Sequence, residues 1–367
     1  MDAYVTAILL RLKHKNPGSG HWPARENTRK ASNMKKLVAG LMLFAVLLPL
    51  AARAEVSEVR VPLGAGGFGF LPLHVMQKHN LIEKQTAKLG QTVKVNWSNI
   101  GGPAGMIDAL LSGSADFISA GPPSFLILWD KTKGNASVKG VAAMSSMPMR
   151  LNTRAAHLKT IDDLKPGDKI AVTSVKSSIP SIVMQMYALG KYGKDQVFRF
   201  DPYTVSMNHA DAAAAMLSGS GGVNAHFASA PLDQIETKNP AIRTIMNSDD
   251  VMGGSTTFTM ISSTQKFHDQ NPKVYAAFVA ALIEAQDMIR NDKRAAAETL
   301  IESMGGGSKW SVDEMVAILS DPTTVYTTRP EHVMKYANFM HDIGSMKNKP
   351  ASIEDLFFKG ADVSAGN

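Results

Sequence analysis

Ala109-Leu110-Leu111-Ser112-Gly113-Ser114 reads as the end of a helix. It is followed by the strand Asp116-Phe117-Ile118-Ser119 and by Gly121-Pro122-Pro123-Ser124, which starts another helix. Later in the chain Ala215-Met216-Leu217-Ser218-Gly219-Ser220 answers it, followed by the strand Asn224-Ala225-His226-Phe227 and by Ser229-Ala230-Pro231. Helix, Ser-Gly stop, strand and Pro-started helix recur in the same order, so two lobes share one plan. Strands alternating with helices predict an α/β fold of mostly parallel sheets flanked by helices, with a ligand cleft between the lobes.

Leading into the first copy, residues 58–63 and 94–97 read as strands, and 70–79 and 105–111 as helices. A second start follows Leu164-Lys165-Pro166-Gly167-Asp168, with a strand over 169–172 and a helix over 180–191. From Asn271-Pro272 the chain turns helical, over 273–291, 293–304, 311–319 and 330–343, which predicts a packing layer. The strand Phe258-Thr259-Met260-Ile261 before it can return to the first lobe. The expected division is residues 55–148 plus 254–367 for lobe 1 and 149–253 for lobe 2. Crossings at 147–152 and 248–256, the latter holding Gly253-Gly254, then form a hinge.

Charge is distributed unevenly. Residues 1–54 hold nine of the 39 Lys and Arg against Asp2 and Glu26 alone, which leaves 30 basic and 30 acidic groups in the other 313 residues. Met34-Lys35-Lys36, the apolar run 37–50 and Ala52-Arg53-Ala54 have the order of a secretory signal peptide, predicted to span 34–54 and to be cleaved after Ala54. Residues 1–33 precede a complete leader with its own Met and read as an upstream extension from a mis-called start. Once the leader is removed, nothing remains of a basic footprint for nucleic acid. The absence of Cys excludes disulfides, thiolate nucleophiles, Cys-held zinc or iron–sulfur clusters and a lipidated Cys. A freely diffusing periplasmic monomer follows, far from cytoplasmic ATP and NAD, so no cofactor is expected.

Gly64-Ala65-Gly66-Gly67-Phe68-Gly69 matches the dinucleotide pattern G-x-G-x-x-G. The next strand, however, ends in Asn96-Trp97-Ser98-Asn99, with no carboxylate for a ribose hydroxyl. The reading is instead that Gly66, Gly67 and Phe68 let backbone approach a solute at a strand end. Further loops enter helices in a similar way: Gly101-Gly102-Pro103, Gly121-Pro122 with Ser124, Ser174 with Lys176-Ser177-Ser178, and the Asn208 region. They place backbone N–H donors where an anion gains from the helix dipole, and Lys176 adds one positive charge. His226 closes a second-lobe strand and is expected to line the cleft. His74 and His79 are five apart, the wrong spacing for an i, i+4 metal pair, and no metal site is predicted. Hydrolase, zinc-protease and P-loop signatures are missing, so an enzyme would have to rely on His226 or His209 as its base.

The Gly-rich first loop and Gly101-Gly102-Pro103-Ala104 with residues 108–116 resemble the periplasmic substrate-binding proteins of ABC importers for nitrate, sulfonates and taurine. So do Ile161-Asp162-Asp163-Leu164-Lys165-Pro166-Gly167 and residues 271–278. The resemblance spans nearly all of 55–367. It implies a type II periplasmic-binding fold and a small-molecule solute handed to a permease and ATPase at the inner membrane, with no enzymatic turnover. An enzyme subgroup of this family makes the thiamine pyrimidine with a Cys-rich motif and iron, which a chain without Cys does not match. Asn224-Ala225-His226-Phe227-Ala228-Ser229 lacks the acid that would recognise the amine of taurine, which leaves a sulfonate, an aromatic or other carboxylate, or a related anion. A periplasmic enzyme or a sensor on the same scaffold is the alternative.

Overall fold

The computed structural model describes residues 54–363 except 65, 101, 307–309 and 361. The expected upstream extension, and the expected leader apart from Ala54, lie outside the described residues.

Alternating apolar residues make β1 (Glu58–Pro62), which pairs in parallel with β2 (Lys94–Ser98), Val59 facing Val95 and Val61 facing Trp97. Between them a 3-10 turn at Phe68–Phe70 leads into α1 (Leu71–Lys78) and α2 (Leu81–Lys88). Next come α3 (Pro103–Ser112), β3 (Ile118–Ala120), α4 (Pro122–Thr132) and β4 (Val138–Ser146). The second lobe holds β5 (Met149–Thr153), β6 (Ile170–Val172), α5 (Ile179–Tyr192), β7 (Thr204–Ser206) and α6 (His209–Ser218). It continues with β8 (Ala225–Ser229), α7 (Leu232–Thr237), β9 (Arg243–Asn247) and α8 (Ser248–Met252). Strand β10 (Thr257–Thr264) returns to pair with β3 and β4. The helices α9 (Gln265–Gln270), α10 (Pro272–Asn291), α11 (Lys293–Ser303), α12 (Val312–Leu319), α13 (Val333–Asp342) and α14 (Ile353–Leu356) complete the described chain.

Three sheets result, ordered β1-β2, β3-β10-β4 and β7-β6-β8-β5-β9. They are mixed, which corrects the expectation of mostly parallel sheets. Pairs β1–β2, β6–β7 and β6–β8 are parallel, whereas β10 runs antiparallel to β3 and β4, and β5 to β8 and β9. The reason lies in the crossings: β5 and β10 carry the chain from one sheet system into the other and enter the new sheet against its direction.

The sequence repeat is a structural repeat. Helix α3 ends at Gly113 (φ 75°) and α6 at Gly219 (φ 77°), both left-handed caps that favour glycine. Ser112 Oγ donates to the Ala109 carbonyl and Ser218 Oγ to the Ala215 carbonyl. In each lobe an arginine meets the carbonyls at the end of that helix, Arg60 at Gly113 and Arg154 at Met216, where a cation complements the dipole. Arg60 is also held by Asp116, whose carboxylate it meets at 2.7 Å.

Helix α10 buries Val274, Ala277, Phe278, Ala281, Leu282 and Ala285, a 3–4 spacing that turns one face onto α1 and α2. Phe117 stacks on Phe278 with centroids 3.9 Å apart, and Phe267 meets Phe117 edge-on at 5.1 Å. This core holds the strand ends β1, β2 and β3, and the loops that follow them, in fixed positions.

Candidate functional site in the interlobe cleft

The loops at these strand ends meet loops of the second lobe around two adjoining cavities. The inner one, of about 70 Å³, has room for about five waters. A wider outer one, of about 630 Å³, adjoins it, and Gly102, Pro103, Thr173 and His209 line both.

Three helices present their N-termini here. Gly102 (φ 82°), Gly121 and Ser178 are the N-cap residues of α3, α4 and α5, and none of the three helices has a side-chain cap. Pro103, Pro122, Pro123 and Pro180 carry no N–H, so the first-turn amides that remain are few, Ser124 being the one at the start of α4. Ser119 lies on the inner wall, 2% exposed, and its Oγ is buried without a hydrogen-bond partner. The opposite lining is apolar: Phe70 and Phe258 meet edge-on at 6.5 Å, with Met106, Met149 and Ile179 around them. Among the described residues no Lys, Arg, Asp or Glu lines either cavity.

Two titratable side chains do line the cleft. His74 of α1 faces the outer cavity with Nε2 buried and unpartnered, and burial lowers its pKa. His209 opens α6, and its Nδ1 lies 2.9 Å from His226 Nε2. His226 Nδ1 in turn lies 2.6 Å from Glu236 Oε1, and Asn152 Nδ2 donates to Glu236 Oε2 at 2.9 Å. His226 and Glu236 are fully buried, whereas His209 is half-buried and lines both cavities, Nε2 being the ring nitrogen outside the bond to His226. Burial first, and then His226, push the pKa of His209 down to about 3.

The site expected from sequence is partly assembled. Gly66, Gly102, Pro103, Gly121, Ser124, Ser174, Ser178 and Asn208 line one cavity or both. Ser177 bridges the lobes, since its carbonyl accepts from Ser124 Oγ at 3.0 Å. Gly67 backs onto Ala230 of the second lobe, 3.5 Å from where a Cβ would sit to the carbonyl oxygen.

Other expectations are corrected. Phe68 is fully buried in the core, and its carbonyl accepts from Tyr326 Oη at 3.0 Å. Pro122 is buried in the first turn of α4 and lines neither cavity. Lys176 is exposed, in a left-handed conformation (φ 66°), and its charge acts on Asp201. Ser178 Oγ is already engaged, donating to the Ser174 carbonyl at 2.7 Å. Asn208 caps α6 by accepting from Asp211 N–H, which satisfies that helix from within. His226 stands behind His209 and lines neither cavity. Gly101 lies outside the described residues.

Sequence reasoning missed Ser119, Thr173 and the apolar wall. The signal for the first two was present, since Ser119 is the penultimate residue of β3 and Thr173 follows the last residue of β6, each just before a loop already singled out.

Residues 79–270, just over half of the chain, match the family described as ABC transporter, phosphonate, periplasmic substrate-binding protein. This protein belongs to that family. It is the substrate-binding component of an ABC importer, in a family whose members are periplasmic transport proteins that serve a permease and ATPase and are not enzymes. A comparison with curated protein sequences finds no match.

Solved structures share the binding protein's fold at low identity. The alkanesulfonate-binding protein SsuA from Xanthomonas axonopodis pv. citri, bound to MOPS, aligns with TM-score 0.63 and 18% identity over 81% of this chain and 96% of its own. The aliphatic sulphonate-binding protein SsuA from Escherichia coli aligns with TM-score 0.57 and 17% identity over 83% and 93%. The nitrate-binding protein NrtA from Synechocystis PCC 6803 aligns with TM-score 0.61 and 14% identity over 82% and 84%.

Proposed function

We propose that this binding protein captures a small organic monoanion, a sulfonate or an aromatic or other carboxylate, and delivers it without turnover. The observation that carries the reading is the buried, unpartnered hydroxyl of Ser119 beside three uncapped helix N-termini. Buried polar groups are normally paired, and donors converging on one cavity complement an acid group. A lining without Lys or Arg among the described residues favours one charge over two, because each desolvated charge needs its own compensation. Phe70, Phe258, Met106 and Met149 offer an alkyl or aryl substituent an apolar wall. That no Asp or Glu lines the cavities among the described residues argues against an amine-bearing ligand such as taurine.

In the same reading the exported chain begins at Glu55. The carboxylate of that residue accepts from the amides of Lys273 and Val274 at 3.0 and 2.8 Å, so the fold takes hold of the chain at its first residue. N-terminal sequencing of periplasmic protein tests this start; a chain retaining residues 37–50 would overturn it.

A thermal-shift screen of alkyl and aryl sulfonates, carboxylates, phosphonates, nitrate and pyrimidines tests the ligand class. Sulfonates or carboxylates are expected to raise Tm most. Stabilisation by pyrimidines alone, or by phosphonate dianions above all others, would overturn the reading.

A further inference from the structure

Residues His209, His226 and Glu236 form a line from the cleft into the second lobe, and the anion reading above does not account for it. Each contact is a single hydrogen bond, so one proton lies between each pair of acceptor atoms and the proton count decides the direction of every donor. With Glu236 ionised and both rings neutral, His226 Nδ1–H donates to Glu236 and His209 Nδ1–H donates to His226 Nε2. The Nε2 of His209 then carries a lone pair, above a buried and uncompensated carboxylate. That state repels an anion.

One added proton reverses it. A proton taken from water enters at His209 Nε2, and the Nδ1 proton of His209 passes to His226 Nε2. His226 becomes an imidazolium beside the Glu236 carboxylate, while His209 stays neutral and offers Nε2–H to the cleft. The buried pair is then electrically neutral. We propose that the His209–His226–Glu236 line couples anion capture in this cleft to the uptake of one proton, His209 supplying the donor and Glu236 acting as a positioning residue through His226. The proposal rests on the anion reading of the cleft.

The neighbouring charged groups are otherwise occupied. On β5, Arg150 pairs with Asp233 of α7, and Asn152 Oδ1 accepts from Thr244 Oγ1 of β9. Arg243 of β9 donates to the carbonyls of Ala155, Ala156 and Leu158, and Asp211 of α6 is tied to Asn208. Strands β6 and β7 bring no titratable group, and across the cleft stands His74, kept neutral by burial.

Calorimetric titration of ethanesulfonate, a permanent monoanion, into protein purified from the periplasm, in phosphate and in Tris at matched pH, counts protons directly. One proton per anion is expected, with Kd weakening by up to tenfold per unit rise in pH. In Glu236→Gln the anion should still bind, with no proton uptake and a flat pH profile. Binding without proton uptake in the native protein, or an unchanged pH slope in Glu236→Gln, overturns the coupling. Nitrogen-15 NMR of the ligand-free protein tests the line separately: a coupling across the hydrogen bond between His209 Nδ1 and His226 Nε2 is expected. Absence of that coupling, with both nitrogens exchanging with solvent, overturns it. Absence of heat from ethanesulfonate at every pH would refute the anion reading and the coupling together, while the NMR result still decides the line.

Discussion

Ser119 and Ser178 are both buried serines on the inner cavity, yet their hydroxyls differ in what they bond. Ser178 Oγ donates to the Ser174 carbonyl, and Ser119 Oγ has no partner. Ser119→Ala is expected to weaken ligand binding by about 1.5–3 kcal/mol, at least tenfold in Kd, with Tm unchanged or raised. Ser178→Ala is expected to lower stability by about 1 kcal/mol with little change in Kd. Calorimetry and thermal melts on both variants separate the two roles. A second expectation concerns pH. The pKa of His74 is lowered by burial, so the folded state prefers the neutral ring, and its stability is fully present above the unfolded value of about 6.5. Stability is lost as pH falls below that value toward the folded pKa. Melts between pH 7.5 and 5 should show a falling Tm, and His74→Gln should reduce the slope.

At the scale of elements, the N-terminus of α4 meets that of α5 across the cleft. A Cβ on Gly121 would lie 3.0 Å from Ile179 Cδ1 and 3.3 Å from the Phe258 carbonyl oxygen. The backbone there is ordinary (φ −73°), so Gly121→Ala introduces no backbone strain and acts by crowding Ile179 and the Phe258 carbonyl. Overpacking of this kind costs about 1–3 kcal/mol. Because Ile179 belongs to the other lobe whereas the Phe258 carbonyl belongs to the same one, the loss should appear mainly as about five- to hundredfold weaker binding, with a smaller fall in the Tm of the ligand-free protein. An unchanged Kd would mean that the cleft closes without this contact. The repeat belongs to the same scale. Its Ser-Gly stops were legible because a left-handed cap demands glycine whatever surrounds it, as Gly113 and Gly219 show. The antiparallel course of β5 and β10 was not legible, because strand direction depends on which sheet the chain re-enters and the local pattern of apolar residues is the same either way.

Across the whole molecule, two strand connections join the sheet systems: β4 to β5 through Met147-Pro148, and α8 to β10 through Gly253 (φ 77°) and Gly254 (φ 141°). They lie side by side, with Met149 N–H donating to Ser248 Oγ at 2.9 Å. Paired connections with glycines in left-handed conformations are where a bend between the lobes is expected. Ligand is expected to favour the arrangement in which Ser124 Oγ reaches the Ser177 carbonyl, and small-angle scattering should show a smaller radius of gyration when a stabilising anion is added. An unchanged profile with a ligand that demonstrably binds would mean a rigid scaffold.

By itself the sequence determined the two-lobed α/β plan, the strand-end loops that reach the cleft and, through the resemblance of its motifs, the family. Those features rest on local chemistry: apolar spacing, proline and glycine at helix ends, and the order of short motifs. Only the tertiary structure decided which loop residues line the cavities. Phe68 and Lys176 sit in the right loops, but core packing and a left-handed turn direct them elsewhere, while Ser178 stays on the cavity wall with its hydroxyl taken by an internal hydrogen bond. Ser119 and the line from His209 through His226 to Glu236 were decided there too, because a missing partner or a bond between α6, β8 and α7 exists only once the elements are packed.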